Sequence, residues 1–206
     1  MNFLNKTFKN RVTGDQFTII DVYQNQIGPQ IGADIVARAW QDPAFKERLL
    51  KDSEAVLGEM ELSGRQGEHV VIVENTEDTH NLVVCTLCSC YPWPLLGIPP
   101  SWYKSDAYRR RAVHSPRSVL AEFGLELPDS KKIRVWDSTA EIRYLVLPER
   151  PVETAGLKGK ALRDWVTRDS MIGTGLPKDP KMDAPKMEAP DAETSPAKTS
   201  PAPETG

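Results

Sequence analysis

The spacing of apolar residues near the start of the chain predicts a run of helices. Residues 17–22 are mostly apolar and fit either a short helix or a strand, whereas the apolar positions of 31–40 recur at helical spacing. Asp42 followed by Pro43 is typical of a helix N-cap and a first-turn proline, and predicts that a second helix begins there. A third, short helix is expected to include residues 55–57.

The apolar pattern then changes to one that is typical of strands. Runs rich in β-branched residues at 69–73 and 81–84 predict two strands separated by a polar turn. A proline-rich stretch follows at 92–100 and is expected to be a loop. Later segments predict helices at 105–113, 116–123 and 161–167, and strands at 132–136 and 142–147. This mixture predicts an α+β fold.

Composition divides the chain into three expected parts. Residues 1–30 are an N-terminal arm or extension, 31–177 are the globular domain, and 178–206 are a tail rich in Pro, Ala, Lys and Glu. Seven of the seventeen prolines lie from Pro177 onwards. Such a segment buries too little apolar surface to offset the entropy lost on ordering, so the tail is expected to be disordered.

Charge and hydropathy exclude some classes of function. The net charge of −3 gives no basic field, so neither nucleic acid nor an acidic membrane surface is an expected partner. No apolar run approaches a membrane span, and the first residues lack the continuous apolar core of a secretory signal. A cytoplasmic location is therefore expected.

The three cysteines of the chain form one cluster. Cys85, Cys88 and Cys90 follow the strand predicted at 81–84 in the spacing C-x-x-C-x-C. A secreted disulfide scaffold distributes an even number of cysteines along its chain, which this sequence does not. Three thiolates on one tight turn are soft ligands within reach of a single ion, so the cluster predicts a metal site.

The spacing alone leaves the kind of site open. A structural zinc ion needs a fourth ligand, and His80 and His114, the nearest histidines, stand at no usual zinc spacing. A redox pair of cysteines leaves Cys90 without a role. The spacing also permits a strongly Lewis-acidic trivalent ion that binds the backbone nitrogens of Ser89 and Cys90 as deprotonated amides.

The cysteine segment and its surroundings resemble the alpha subunit of nitrile hydratase. The motif is Val-Cys-Thr-Leu-Cys-Ser-Cys at 84–90, followed by Tyr-Pro-Trp-Pro at 91–94. Further similar segments are 96–100, 102–104, 116–124, 133–144, 147–151 and 167–173. The resemblance covers roughly 31–177. It implies an N-terminal helical arm followed by a layered α/β/β/α domain.

The resemblance also implies a specific ligand set. The sulfurs of Cys85, Cys88 and Cys90, with the amide nitrogens of Ser89 and Cys90, are expected to hold one low-spin trivalent ion, leaving a sixth position for water or substrate. Cys88 is expected as a sulfinic acid and Cys90 as a sulfenic acid. Thr86, between the first two cysteines, is typical of cobalt members, so one cobalt(III) per chain is expected.

Three further positions match residues of the family's active site. Gln66 is expected near the entrance, and Glu141 and Arg143 beside the ligands; the catalytic set is these three with Ser89 and Cys90. Without the resemblance, Gln66 lies in an ordinary turn, and Glu141 with Arg143 is a surface ion pair of little energetic value. The aromatic residues Trp93, Trp102 and Tyr103 are expected to be core first and a substrate channel second.

The implied function is hydration of a nitrile to its amide by a carbon–nitrogen lyase. The expected partners are a beta subunit, in a heterodimer that can pair further to α2β2, an activator protein for cobalt insertion, and a small nitrile. Two alternatives remain at this stage. One is the metal-bearing subunit of thiocyanate hydrolase, which carries the same cysteine motif, and the other is a non-catalytic zinc-binding interaction module.

Overall fold

Two short strands lie in the predicted N-terminal arm. In the computed structural model the described residues are 7–9, 16–18, 29–62 and 69–180. Strands β1 (Thr7–Lys9) and β2 (Gln16–Thr18) pair antiparallel. These six residues are strand where a helical arm was predicted, in keeping with their β-branched and aromatic residue types. The rest of the arm up to residue 28, Gln66, and the predicted tail beyond residue 180 lie outside the described residues.

Three consecutive helices begin the domain, as predicted. They are α1 (Gln30–Gln41), α2 (Pro43–Lys51) and α3 (Ser53–Glu59). The carboxylates of Asp42 and Asp52 accept hydrogen bonds of 3.0 Å from backbone N–H groups at the start of the following helix. Each aspartate therefore ends one helix and caps the next, which allows three helices to follow one another without intervening loops.

All four predicted strands of the domain are present, and they form two parallel pairs. They are β3 (His69–Glu74), β4 (Thr79–Val84), β5 (Lys132–Asp137) and β6 (Ile142–Leu147). β3 pairs with β6 and β4 pairs with β5, although β3 and β4 are adjacent in the sequence. Five of the six residues of β4 are buried, which explains its continuous apolar run. In each pair, therefore, the carboxyl ends of two strands distant in sequence lie side by side.

Helices cover both sheets, in the predicted α/β/β/α order. α2 and α3 pack against β3, where the hydroxyl of Ser53 accepts a 3.0 Å hydrogen bond from the backbone of Ile72. β6 contacts β4, and helices α4 (Trp93–Leu96), α5 (Asp106–His114) and α6 (Pro116–Glu122) follow along the chain. Of these, α5 packs on β4 and α6 on β5. The helices of the described segments are all too short or too polar to cross a lipid bilayer.

Two local expectations were wrong. The segment 92–100 contains the single helical turn α4, because Pro92 is its N-cap and Pro94 stands in its first turn, where the missing N–H costs no hydrogen bond. The helix predicted at 161–167 is shorter, α7 (Gly159–Arg163). Thr167 is instead the N-cap of α8 (Arg168–Ile172), with its hydroxyl accepting a hydrogen bond from the Ser170 backbone.

A buried polar network connects β4 to the end of α8. The ring Nε2 of His80 donates to the carbonyl of Gly173 at 2.7 Å, and its Nδ1 accepts from the amide of Asn75 at 3.2 Å. Asn75 accepts in turn from the backbone of Asn81 at 2.7 Å. Gly173 has φ +92°, and a Cβ there would lie 1.9 Å from the Asn81 carbonyl oxygen, so glycine is required. Both ring nitrogens of His80 therefore have hydrogen-bond partners when the imidazole is neutral.

Candidate metal centre

The three cysteines lie in the loop that follows β4, and their sulfurs converge. The Sγ atoms of Cys85 and Cys88 are 3.5 Å apart, and those of Cys88 and Cys90 are 3.0 Å apart. The backbone N–H of Cys88 donates to the Cys85 sulfur at 3.3 Å. Cys85 and Cys90 are buried, whereas Cys88 is exposed. One side of the sulfur cluster is therefore open to an incoming molecule.

Two of the three sulfur separations, 3.5 and 3.0 Å, are shorter than those between thiolates of a tetrahedral site, and all three sulfurs lie within 4.8 Å of one another. At a zinc–sulfur bond length of about 2.3 Å, two thiolates are about 3.8 Å apart in a tetrahedron. In the described part of the chain no His, Asp or Glu joins the three sulfurs. The residues present therefore fit an ion that takes further ligands from elsewhere, such as backbone nitrogens.

The cysteines differ in their affinity for protons. A hydrogen bond from the Cys90 thiol, and then one from the backbone N–H of Ser89, lower the pKa of Cys88 to about 7. Burial, and then the hydrogen bond to Cys88, raise the pKa of Cys90 to about 12. The backbone N–H of Cys90 also faces the Cys88 sulfur. Of these two thiols, Cys88 is therefore the more readily available as a thiolate ligand, and binding at Cys90 must release a proton.

Asp137 holds the start of the cysteine loop. Its carboxylate accepts a 2.9 Å hydrogen bond from the Thr86 backbone N–H and a 2.6 Å hydrogen bond from the Thr86 hydroxyl. Asp137 ends β5 and is paired with Val84, the last residue of β4. The sequence analysis missed this role, although Asp137 lies within a segment that carries the family resemblance. The parallel pairing of β4 and β5 is what brings it to the loop.

Two buried tyrosines fix the backbone on either side of the sulfurs. The hydroxyl of Tyr103 donates to the carbonyl of Cys90 at 2.9 Å, and that of Tyr108 donates to the carbonyl of Val83 at 2.6 Å. Tyr103 is fully buried, and Trp102 packs edge-to-face on Tyr108. The expectation that aromatics here belong to the core is thus confirmed for Trp102 and Tyr103. Both hydroxyls were missed as supports of the site.

Arg109 is a third support that the sequence analysis missed. It lies on α5, and its Nη1 donates to the carbonyl oxygen of Cys88 at 3.2 Å. Its Nη2 forms an ion pair with Asp106, and its Nε is buried and has no hydrogen-bond partner in the part of the chain that the structure describes. The guanidinium therefore brings a positive charge to the backbone between the second and third cysteines.

The residues predicted beside the ligands lie at the start of β6. Arg143 lies on β6, where its Nη1 donates to the carbonyl of Ala140 at 3.3 Å and its Nε is buried without a partner. Glu141 precedes that strand and is exposed. Within the described segments, these two side chains form no ion pair with each other and no hydrogen bond to the cysteine loop. Arg143 thus has a buried donor that is unpaired among the described residues.

Two apolar side chains in and just after the cysteine loop are exposed. Leu87, between the first two cysteines, is 82% exposed, and Trp93 is 48% exposed. Trp93 therefore departs from the expectation of a core aromatic. Water is a poor partner for such a surface, which favours contact with another molecule.

Comparison with known proteins adds independent evidence. The family model described as nitrile hydratase, alpha chain, matches residues 6–175. The chain is 58% identical over 159 residues to the alpha subunit of a low-molecular-weight cobalt-containing nitrile hydratase from Rhodococcus rhodochrous, covering 77% of each chain. It is 43% identical over 167 residues to the gamma subunit of thiocyanate hydrolase from Thiobacillus thioparus, covering 76% of this chain and 69% of that one.

A solved structure agrees with these sequence matches. A double mutant of the iron-type nitrile hydratase from Comamonas testosteroni Ni1 superposes with a TM-score of 0.70 at 42% identity. The superposition covers 78% of this chain and 79% of that one. The α+β fold described above is therefore the fold of this group of proteins.

Proposed function

This chain belongs to the nitrile hydratase alpha-chain family, and on that premise we propose that it is the metal-bearing subunit of a cobalt nitrile hydratase. The observation that carries the proposal is the convergence of the Cys85, Cys88 and Cys90 sulfurs within 4.8 Å of one another, with no fourth side-chain ligand in the described residues. The reaction adds one water across the carbon–nitrogen triple bond. The oxygen bonds to carbon, both protons end on nitrogen, and nothing is oxidised or reduced.

The proposed ligands are the three sulfurs and the amide nitrogens of Ser89 and Cys90. The orientation of these two amides towards the Cys88 sulfur supports this set. A bound trivalent cobalt would supply Lewis acidity, which polarises a nitrile or activates water. Thr86, the residue typical of cobalt members, accords with the similarity to cobalt-containing relatives. We propose one cobalt(III) per chain.

The chain's own residues would then position substrate and protons. We propose that Cys88 carries a sulfinic acid and Cys90 a sulfenic acid, whose oxygen serves as nucleophile or base beside the substrate carbon. Gln66 is proposed at the entrance to the site, and Glu141 and Arg143 as residues that orient the oxidised loop. The unpaired buried Nε of Arg143 supports this role, because a buried donor without a partner is rare unless it serves a function.

A beta subunit is the proposed partner. Leu87, within the cysteine loop, and Trp93, three residues after Cys90, are exposed, and a partner would cover these apolar side chains. Oxidised sulfurs also carry negative charge that requires donors when buried, and arginines from the partner would supply them. We further propose that heterodimers pair to form α2β2 and that an activator protein inserts the cobalt. We also propose a cytoplasmic location, and a division of the chain into an arm (1–30), a domain (31–177) and a tail (178–206).

Thiocyanate hydrolase is the second candidate, supported by the 43% identity to its gamma subunit. The higher identity, 58%, to a nitrile hydratase alpha subunit favours the first proposal. A non-catalytic zinc module is disfavoured by the missing fourth ligand among the described residues.

The deciding experiment is metal analysis and turnover of the chain produced with its beta partner in cobalt-supplemented cells. We expect about one cobalt per chain, set by the single three-sulfur site, and conversion of a simple nitrile to its amide without acid. Replacing Arg143 should lower turnover and leave cobalt bound. Hydrolysis of thiocyanate in place of nitriles would establish the second candidate, and stoichiometric zinc without cobalt would overturn both.

A further inference from the structure

We propose that Arg109 is a positioning residue for one of the metal-binding amides. In this role, which rests on the proposed function, its guanidinium holds the Cys88–Ser89 peptide so that the Ser89 nitrogen faces the metal. Its positive charge also offsets the negative charge of that bound amide.

Arg109 contacts the peptide that joins Cys88 to Ser89. The carbonyl oxygen of Cys88, which accepts from Arg109 Nη1 at 3.2 Å, belongs to the same peptide unit as the nitrogen of Ser89. A trans peptide is planar, and its C=O and N–H point in opposite directions. The described part of the chain contains no cis peptide. By holding the oxygen on the α5 side, Arg109 therefore turns the Ser89 nitrogen towards the sulfurs.

The charge of Arg109 suits the same peptide. An amide nitrogen that binds a metal in place of its proton carries negative charge, which resonance shares with the carbonyl oxygen of that peptide. A hydrogen bond between a guanidinium and an anionic oxygen is stronger than one between neutral groups. Arg109 would therefore stabilise the metal-bound amide more than the free one.

The protein fixes Arg109 through its neighbours on the helix. Tyr108, the preceding residue, is buried and donates to the Val83 carbonyl at 2.6 Å, two residues before Cys85. Asp106, in the first turn of the same helix, pairs with the guanidinium. The Arg109 side chain is only 19% exposed. Its charge is therefore held in place by a packed helix and is not carried by a side chain that extends into solvent.

Tyr103, the other donor to the cysteine loop, contacts a different peptide from the one that Arg109 contacts. Its hydroxyl donates to the carbonyl of Cys90, which belongs to the peptide of Tyr91 and not to that of a proposed amide ligand. A neutral donor is sufficient there. Of these two donors to the cysteine loop, the charged one contacts a peptide whose nitrogen is proposed to bind the metal.

The test compares Arg109→Gln, Arg109→Lys and Arg110→Gln in the cobalt-loaded complex with the beta partner. Arg110 is exposed on the same helix and makes no hydrogen bond to the cysteine loop in the described residues, so its variant controls for loss of one charge. The readouts are the rate of cobalt loss to a chelator and the visible absorption from sulfur and amide donation to cobalt. Complex formation and the far-ultraviolet circular dichroism spectrum verify folding.

We expect Arg109→Gln to lose cobalt about 10 to 100 times faster and to shift the absorption band, as is typical when a residue that supports a ligand is removed. Arg109→Lys, which keeps the charge, should show a smaller change in both, and Arg110→Gln should match the wild type. Equal cobalt loss and equal spectra for Arg109→Gln and Arg110→Gln would overturn the inference. If Arg109→Gln yields no folded complex, an unchanged rate and spectrum for Arg109→Lys would overturn it instead.

The same experiment separates this inference from the proposed function. A wild-type complex that holds cobalt and hydrates nitriles, with Arg109→Gln indistinguishable from Arg110→Gln, refutes only the role of Arg109. A wild-type complex that holds zinc and converts no nitrile refutes both.

Discussion

Asp137 accepts two hydrogen bonds from Thr86, one from the backbone N–H at 2.9 Å and one from the hydroxyl at 2.6 Å. These residues are 51 positions apart in the sequence. The two bonds fix both the backbone position of Thr86 and the rotation of its side chain. The threonine that is typical of cobalt members thus also holds the cysteine loop to the end of β5.

The first prediction concerns this pair. Asp137→Asn should weaken cobalt retention about 10- to 100-fold, because an amide can accept only one of the two bonds and the loop loses its fixed orientation. Thr86→Val, which keeps the backbone bond and loses the hydroxyl bond, should have a smaller effect. The rate of cobalt release to a chelator measures the effect of both substitutions. Asp129→Asn, at an exposed residue in the turn before β5, is the control, and an equal effect there would contradict the prediction.

The second prediction separates side-chain ligands from backbone ligands. Cys90→Ser should abolish nitrile turnover and reduce bound cobalt, since it removes a soft ligand together with the proposed nucleophilic oxygen. Ser89→Ala is the matched comparison, because it leaves the backbone nitrogen in place, and it should keep about one cobalt per chain. Metal analysis measures the cobalt bound by each variant, and an assay of amide formation measures its nitrile turnover. Full nitrile hydration by Cys90→Ser would show that the cluster is structural.

The third prediction concerns oxidation of the sulfurs. Peptide mass spectrometry of active complex should find the mass of two added oxygens on Cys88, one on Cys90 and none on Cys85. Cys85, directly after β4, has no exposed surface, whereas Cys90 is 8% exposed and Cys88 is exposed, so Cys85 is the best shielded of the three. A reductant-free digest with a sulfenic-acid trapping reagent preserves the labile Cys90 product. Three free thiols in active complex would rule out the assignment.

The fourth prediction concerns pH and His80. Burial lowers the pKa of His80, so the folded chain binds fewer protons than the unfolded chain, whose histidine has a pKa of about 6.5. The stabilisation from neutral His80 is therefore full above about pH 6.5 and is lost as the pH falls from there towards the lower pKa of the folded state. The thermal midpoint of the complex should decrease over this range, and less so in His80→Gln. His114→Gln, at an exposed position, should retain the wild-type pH dependence.

The features that could be predicted from the sequence are those that depend on residues close together along the chain. The three initial helices follow from caps such as Asp42, and the sulfur cluster follows from cysteines within one short loop. Asp137 and Arg109 could not be assigned in this way. Asp137 reaches Thr86 only because β4 pairs with β5, and Arg109 reaches Cys88 only because Tyr108 docks its helix. Both contacts depend on tertiary packing, which apolar spacing does not encode.

The parallel pairing of β4 with β5 also sets an order of events during synthesis. The cysteines leave the ribosome before Asp137, and at about 5 to 20 residues per second the intervening 51 residues take about 3 to 10 s. Throughout this interval the loop has its three thiols but not the carboxylate that fixes it. Delivery of cobalt is therefore best timed after β5 has paired. A nascent chain, in contrast, exposes unprotected thiols to whichever thiophilic ion reaches it first.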